Sequence, residues 1–248
     1  MNSPVLHCFP YAGGGALAFR AWPALAGPGV RVRPFGMPGR ENTFGEPFLA
    51  DLPTALDHIL ATWQQPPDEP YALYGHSMGA IIVFALAREL RRRGQPGPAH
   101  LFVSGMNAPH VVDLRARALH HLPDERLLEH LRWLGGASED FLTDPALQRF
   151  FLPVLRADFR LVEAFVYEPQ EPLDCPISVW GGREDRSTSA AGLAAWQEHT
   201  TAGFRCRVLP GHHLFIDLSR GELVGALVGD LDESLRGVLD ESPRGVRS

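Results

Sequence analysis

Cysteine is scarce in this sequence, with only Cys8, Cys175 and Cys206 among 248 residues. The count is odd, and the three residues lie far apart on apolar, strand-like stretches. This pattern favours reduced thiols in a protein core over a disulfide framework. The sequence also lacks a His-x-x-x-His pair and any histidine–cysteine cluster at ligand spacing. We therefore expect neither a metal ion nor a cofactor bound by the chain.

Long apolar runs and long basic runs are missing too. No apolar stretch approaches about 18 residues, the length needed to span a bilayer, so no transmembrane helix is expected. Residues 1–4 lack the basic and apolar regions of a signal peptide, and we expect a cytoplasmic protein. The net charge is −6, and the arginines at 91–93 suit the C-terminal end of a helix. Nucleic acid is therefore not an expected partner.

Apolar content and length favour one large α/β domain, since 45 % of the 248 residues are hydrophobic. Strand-like and helical patterns alternate, which predicts a mostly parallel sheet with helices on both faces. Strands are expected at 5–9, 30–35, 71–74, 100–105, 177–182 and 204–209, and helices at 16–25, 51–64, 80–93, 190–200 and 221–235. We expect a single domain over residues 1–240 and a disordered polar tail at 241–248.

The other predicted elements are arranged around residues 71–93. This stretch has the pattern of a short apolar strand, a Gly-x-Ser-x-Gly turn and a helix that is apolar nearly all round. In this nucleophile elbow the serine, here Ser77, stands at the tip of a sharp turn with its hydroxyl exposed to substrate. Gly75 and Gly79 are required because a β-carbon at either position would collide where strand and helix approach each other. A structural glycine-rich turn is the alternative interpretation.

Three successive glycines, at 13–15, follow the first predicted strand. Their spacing matches neither a dinucleotide-binding fingerprint nor a phosphate-binding P-loop. In enzymes with a nucleophile elbow, the loop after an early strand supplies a backbone N–H to the oxyanion hole. We predict that the N–H groups of Ala12, in this loop, and Met78, at the helix start, stabilise an oxyanion. An ordinary flexible turn is the alternative.

A serine hydroxyl needs a base, and the base needs a third group that orients it. In enzymes with this elbow, an acidic residue and then a histidine follow the serine along the chain, each just past the end of a strand. Asp185 and His213 occupy such positions. Glu184 competes with Asp185, which reaches one residue further into its loop, and His212 competes with His213, which precedes a buried segment. The catalytic prediction is Ser77, Asp185 and His213.

Residues from about 108 to 166 contain helical patterns and no convincing strand. A helical insertion between two strands on the catalytic side is typical of a lid. Histidines outside the predicted site have ordinary explanations: His76 packs beneath the elbow, and His120 and His121 lie solvated on the lid.

Several motifs together resemble the stand-alone type II thioesterases of polyketide synthase and non-ribosomal peptide synthetase systems. These proteins have the α/β-hydrolase fold, and the resemblance covers roughly residues 7 to 217. It rests on Phe-Pro-Tyr-Ala-Gly-Gly at 9–14, Met-Pro-Gly-Arg-Glu at 37–41 with Glu-Pro at 46–47, Gly-His-Ser-Met-Gly-Ala at 75–80, Leu-Pro-Val-Leu-Arg-Ala-Asp-Phe at 152–159, Trp-Gly-Gly-Arg-Glu-Asp at 180–185 and Gly-His-His-Leu-Phe at 211–215. The family pattern places its histidine on His213, with Leu214 as a conservative departure, and its aspartate on Asp185.

The resemblance implies hydrolysis of acyl groups held as thioesters on the phosphopantetheine arm of a carrier domain. We expect the protein to be a monomer. Such enzymes clear stalled or misprimed chains or release intermediates. Carrier domains are usually acidic, so Arg40, Arg115 and Arg117 are candidates for a basic docking patch. A carboxylesterase or acyltransferase of the same fold is one alternative, and a carrier-binding module with a degenerate site is another.

Overall fold

A computed structural model of the protein describes residues 3–63, 65 and 69–240. Within these residues, six parallel strands form one sheet in the order β2-β1-β3-β4-β5-β6. The strands are β1 (Val5–Phe9), β2 (Arg31–Pro34), β3 (Tyr71–His76), β4 (His100–Ser104), β5 (Ile177–Gly182) and β6 (Phe204–Leu209). The predicted parallel sheet is therefore confirmed.

Nine α-helices connect or follow these strands in the described part of the chain. They are α1 (Trp22–Ala26), α2 (Leu52–Thr62), α3 (Met78–Arg92), α4 (Asp124–Leu134), α5 (Glu139–Thr143), α6 (Pro145–Glu163), α7 (Ala190–Ala194), α8 (Phe215–Leu218) and α9 (Arg220–Asp240). None of them is long and apolar enough to cross a membrane.

Alternation along the strands explains why both faces of the sheet are covered. Val5 and Leu73 face a core cluster shared with α2 and α3, whereas Leu6 and Tyr74 face a second cluster shared with α1 and α9. Because successive strand side chains point to opposite faces, an apolar run such as β1 can bury both. β3 and β4 are buried along their whole length.

The order of the strands brings two loops together at the carboxyl ends of β1 and β3. β1 lies between β2 and β3, so the chain leaves β1 towards β2 on one side and leaves β3 towards β4 on the other side. A crevice therefore forms at the carboxyl ends of β1 and β3. Phe9, the last residue of β1, pairs with Gly75 near the end of β3. The glycine-rich loop after β1 therefore begins beside the elbow after β3.

The segment between β4 and β5 contains α4, α5, α6 and several 3₁₀ turns. It has an apolar cluster of its own, in which Leu127 and Leu131 of α4 meet Leu152 and Phe159 of α6. This segment includes the residues at 108–166 for which a lid is expected. The expected tail at 241–248, Gln64 at the end of the second predicted helix and the loop at 66–68 lie outside the described residues.

Several boundaries differ from the predictions for physical reasons. The helix predicted at 16–25 is a 3₁₀ turn, Ala16–Phe19, followed by α1, which restarts at Trp22 with Pro23 in its first turn. The helix predicted at 190–200 is α7 followed by a 3₁₀ helix, Ala195–His199. Cys8 and Cys175 are buried free thiols, but Cys206 is exposed because β6 is an edge strand, so a core position for Cys206 was wrong.

Candidate active site

Ser77 occupies a strained turn between β3 and α3. Its φ is 54° and its ψ is −111°, a combination that residues with a side chain rarely adopt. A β-carbon on Gly75 would lie 2.0 Å from the carbonyl oxygen of Gly79, and one on Gly79 would lie 2.2 Å from that of Phe9. Both glycines are therefore needed for the close approach of strand and helix, as the elbow pattern predicts.

Among the three residues predicted to act together, His213 lies within hydrogen-bond distance of both Ser77 and Asp185. Ser77 Oγ lies 2.8 Å from Nε2 of His213, and Nδ1 of His213 lies 2.9 Å from Oδ2 of Asp185. Each follows the carboxyl end of a different strand: Ser77 follows β3, Asp185 follows β5 and His213 follows β6. Asp185 and His213 are buried, at 6 % and 7 % exposure. In this arrangement the serine hydroxyl can donate to the imidazole, and the imidazole can donate to the carboxylate.

The environment of Asp185 favours its ionised form. Burial alone would raise the pKa of Asp185, but hydrogen bonds from His213 and Ser187 outweigh burial and hold it below its ordinary value. The N–H and the hydroxyl of Ser187 both donate to Asp185 Oδ1, at 2.9 and 2.7 Å. Sequence reasoning missed Ser187, although its position two residues after an acid in a turn is a known signal for such a bond.

Glu184 and His212, the alternatives to Asp185 and His213, form other contacts. Glu184 is exposed, and its carboxylate accepts the N–H of Gly211 at 2.5 Å, away from the imidazole of His213. His212 is also exposed, with Nδ1 lying 3.2 Å from the carbonyl oxygen of Glu184. The structure thus brings Asp185 and His213, rather than their neighbours, to Ser77.

Met78 and Ala12, the predicted oxyanion donors, both lie near Ser77. Met78 is the first residue of α3, so its N–H lies at the positive end of that helix. Ala12 lines the same cavity as Ser77. The next N–H along the loop, that of Gly13, is not available to a substrate because it donates to Asp158 Oδ2 at 2.7 Å.

Arg40, one of the three arginines expected on a docking patch, is instead buried at 7 % exposure. Its guanidinium donates to both carboxylate oxygens of Asp158 at 2.6 Å and to the carbonyl oxygen of Gly14 at 2.8 Å. Burial raises the pKa of Asp158 despite the opposing effect of Arg40. A docking role for Arg40 was therefore wrong, because the side chain is enclosed between the glycine-rich loop and α6.

The cavity at Ser77 is small, with a volume of about 50 Å³. Its lining mixes apolar and polar side chains. Arg117, another of the docking candidates, belongs to it, whereas Arg115 is exposed. The lining residues are Tyr11, Ala12, Ser77, Arg117, Leu119, His130, Leu131, Leu134, Gly136, Phe159, Ser187, His213 and Leu214. Six of them, from Arg117 to Gly136, come from the segment between β4 and α5, so that segment closes over the serine.

His76 and His120, which were not predicted as catalytic, contact buried side chains. His76 is completely buried, its Nδ1 lies 2.7 Å from Ser104 Oγ, and burial lowers its pKa to about 3. His120 was expected to be solvated, but its ring contacts the buried carboxylate of Glu163, which also accepts the N–H of Leu119. Among the described residues, no group of three or more histidine, cysteine and carboxylate side chains is arranged to hold a metal ion.

With this geometry in place, comparison with known proteins identifies the family. The model of the thioesterase domain family matches residues 4–233. The chain belongs to the thioesterase domain family. It is 39 % identical over 219 residues to the gramicidin S biosynthesis protein GrsT of Aneurinibacillus migulanus, covering 88 % of this chain and 85 % of that protein.

Solved structures of thioesterases agree with this assignment. The RedJ thioesterase from the prodiginine pathway of Streptomyces coelicolor superposes with a TM-score of 0.83 at 39 % identity, covering 92 % of this chain and 85 % of that one. The type II thioesterase BorB from the borrelidin cluster superposes with a TM-score of 0.83 at 32 % identity, covering 92 % of this chain and 93 % of that one. This thioesterase therefore has the α/β-hydrolase fold, as the resemblance implied.

Proposed function

We propose that this thioesterase hydrolyses acyl groups from the phosphopantetheine arm of carrier domains in polyketide or non-ribosomal peptide biosynthesis. The observation that supports the proposal most strongly is the hydrogen-bonded sequence from Ser77 through His213 to Asp185, at 2.8 and 2.9 Å. Relatives from such pathways, including GrsT and RedJ, support the substrate class. In this role the enzyme removes stalled or aberrant chains or releases intermediates.

Acylation is the first half of the proposed reaction. Ser77 Oγ attacks the thioester carbonyl carbon while Nε2 of His213 takes the hydroxyl proton, and Asp185 stabilises the imidazolium that forms. The N–H groups of Met78 and Ala12 donate to the oxyanion, where each such donor contributes about 3–4 kcal/mol to transition-state stabilisation. Collapse of the tetrahedral intermediate breaks the carbon–sulfur bond, and the imidazolium returns its proton to the departing pantetheine thiol.

Deacylation repeats these steps with water. His213 takes a proton from the water molecule, the resulting oxygen nucleophile attacks the acyl carbon, and the proton returns to Ser77 Oγ as the free acid leaves. Both halves use only side-chain and backbone groups of this chain, so we propose that no cofactor takes part. Phosphopantetheine enters as part of the substrate on a partner carrier protein.

The cellular setting belongs to the same proposal. All three cysteines are free thiols, which is usual for proteins of reducing compartments, and we propose that the enzyme acts as a cytoplasmic monomer. Carrier domains would approach from the side of the cavity that contains Ser77 and Arg117.

A carrier-bound acyl series tests the proposal directly. Wild type and Ser77→Ala are compared on acyl-carrier thioesters of increasing chain length, with Ser138→Ala, an exposed serine at the start of α5, as the matched control. We expect hydrolysis by wild type and control and a loss of at least about 10³-fold in Ser77→Ala. Equal rates for wild type and Ser77→Ala would rule out the mechanism.

Three further measurements separate the alternative functions. Faster turnover of matched oxoesters than of thioesters would favour a carboxylesterase, and transfer to an added amine or alcohol would favour an acyltransferase. No labelling of Ser77 by a fluorophosphonate, together with retained carrier binding, would favour a degenerate binding module.

A further inference from the structure

The glycine-rich loop beside Ser77 is held by three charged side chains from outside it. Asp158 accepts the N–H of Gly13, and Arg40 donates to the carbonyl oxygen of Gly14. Glu41 accepts the N–H groups of the two residues that follow the glycines, at 2.9 and 3.0 Å. A loop with three glycines has many accessible conformations, so these contacts act together with the loop's own turn bond, from Gly14 N–H to the Tyr11 carbonyl oxygen, to select one of them.

Asp158 is the member of this group that comes from α6, in the segment inserted between β4 and β5. It is separated from Gly13 by 145 residues along the chain. One turn earlier on the same helix, Leu155 packs so closely that a β-carbon on Gly13 would meet its Cδ2 at 2.7 Å. Gly13 also has a φ of 82°, which a residue with a side chain adopts at a cost. Helix α6 thus fixes the peptide that joins Ala12 to Gly13 by a hydrogen bond and by steric contact.

Stability alone is a weak explanation for the ion pair. Asp158 and Arg40 are both buried, at 2 % and 7 % exposure. Desolvation of two charges offsets most of their attraction, and apolar replacements of buried pairs are often neutral or stabilising. A bidentate pair does fix geometry, because the planar guanidinium and carboxylate match in one orientation. In this protein, that orientation holds Gly13, the residue next to Ala12.

We propose that Asp158, oriented by Arg40, is a positioning residue for the oxyanion hole, because it fixes the loop that presents the Ala12 N–H. This inference rests on the proposed thioesterase function, in which Ala12 is an oxyanion donor. Asp158 itself does not touch the reacting atoms. Its removal leaves Ser77, His213 and Asp185 in contact but lets the Ala12 N–H move away from the developing charge.

The test uses variants that separate positioning from stability. Arg40→Met with Asp158→Leu removes both charges together and leaves no buried ion unpaired. Asp158→Asn keeps one acceptor oxygen for Gly13 and loses the bidentate pair. Asp230→Asn is the matched control, because Asp230 is a buried carboxylate, 3 % exposed, that accepts from Arg207 at 2.6 Å far from Ser77. Each protein is assayed for kcat, KM, thermal midpoint and affinity for an alkylboronic acid, whose tetrahedral serine adduct occupies the oxyanion hole.

We expect the double variant to fold and to lose about 10- to 100-fold in kcat, since small misplacements of a catalytic group have effects of this size. KM changes little, because the thioester carbonyl forms its strongest contact with the hole only in the transition state. Boronate affinity falls by the same factor as kcat, and Asp158→Asn gives a smaller loss in both. Asp230→Asn lowers the thermal midpoint without changing kcat or boronate affinity.

Unchanged kcat and boronate affinity in either folded variant would overturn the inference, and so would losses matched by Asp230→Asn. Asp158→Asn decides the question if the double variant does not fold. Failure of the proposed function looks different: wild type would not hydrolyse acyl-carrier thioesters at all. Boronate affinity and turnover of a nitrophenyl ester would then still measure the effect of Asp158 on the oxyanion hole.

Discussion

The hydroxyl of Ser187 lies 2.7 Å from Oδ1 of Asp185, the carboxylate whose other oxygen contacts His213. Ser187 therefore helps to keep Asp185 ionised and to orient it, and Ser187 Oγ also lies 3.1 Å from His213 Nδ1. A side chain that supports the carboxylate in this way affects the pKa of Asp185 and, through that pKa, the pH dependence of stability.

Ser187→Ala should make the protein less stable at neutral pH and equally stable in acid. The folded-state pKa of Asp185 is lowered, so its ionisation contributes stability above its unfolded pKa of about 4 and loses that contribution as the pH falls through the lower folded value. Removing the hydroxyl raises the folded pKa and reduces the contribution, by about 1 kcal/mol. Urea unfolding at several pH values measures this difference.

The control for this experiment is Ser189→Ala, an exposed serine in the same loop that caps α7 and does not contact Asp185. Its effect on stability should be independent of pH. A difference between wild type and Ser187→Ala that stays constant from pH 7 to acid would contradict the assigned role of the hydroxyl.

Asp185→Asn should lower kcat by about 10³- to 10⁴-fold, because an amide no longer selects the imidazole tautomer that accepts the Ser77 proton. Glu184→Gln, one residue away, should stay within about twofold of wild type, because Glu184 is exposed and contacts Gly211. Steady-state hydrolysis of one acyl-carrier thioester measures both. A larger loss in Glu184→Gln than in Asp185→Asn would reverse the choice between the two acids.

Local patterns predicted much of the fold and the positions of the candidate catalytic residues. Each strand appears as an apolar or alternating run, and the glycines around Ser77 reveal the elbow. Ser187 was missed although its bond to Asp185 is local, whereas Arg40 was misplaced because its partner lies far away along the chain. Arg40 and Asp158 are 118 residues apart, and nothing near Arg40 distinguishes a buried arginine from a surface one. Helix α6 brings them together only when the inserted segment packs on the loop.

Stability should also fall steeply between about pH 6.5 and pH 4. Four buried histidines have lowered folded-state pKa values, mainly because burial disfavours the charged ring: His76 to about 3, and His7, His100 and His199 to about 4. Below about pH 6.5 the unfolded chain binds protons that the folded protein does not, and each site lowers stability by up to about 1.4 kcal/mol per pH unit. Urea unfolding measured at half-unit pH intervals gives the slope.

His100→Gln tests the origin of that slope. His100 is 2 % exposed and contacts Ser178 and Ser234, far from Ser77. The substitution should lower stability at pH 7.5 and reduce the proton uptake on unfolding by up to about one proton near pH 5, between the folded and unfolded pKa values of His100. An unchanged slope would show that His100 does not contribute to the acid sensitivity.

The cavity at Ser77 must enlarge to admit a pantetheine arm, because about 50 Å³ is well below the roughly 300 Å³ of an ordinary ligand site. Helix α6 cannot move away without breaking the bonds from Asp158 to Gly13 and Arg40. Helix α4 is held less firmly: it lines the cavity with Leu131 and Leu134, and its first residue, Asp124, is exposed where it contacts Arg156. Opening should therefore displace α4 and leave α6 in place.

Hydrogen exchange followed by mass spectrometry distinguishes the two helices. Peptides from α4 should exchange faster than peptides from α6 in the free enzyme, and an alkylboronic acid at Ser77 should slow exchange in α4 most. Asp124→Ala removes the contact with Arg156 and should speed exchange in α4 but not in α6. Equal exchange in both helices would mean that α6 moves together with α4, and the oxyanion loop would then lose its Asp158 contact each time the site opens.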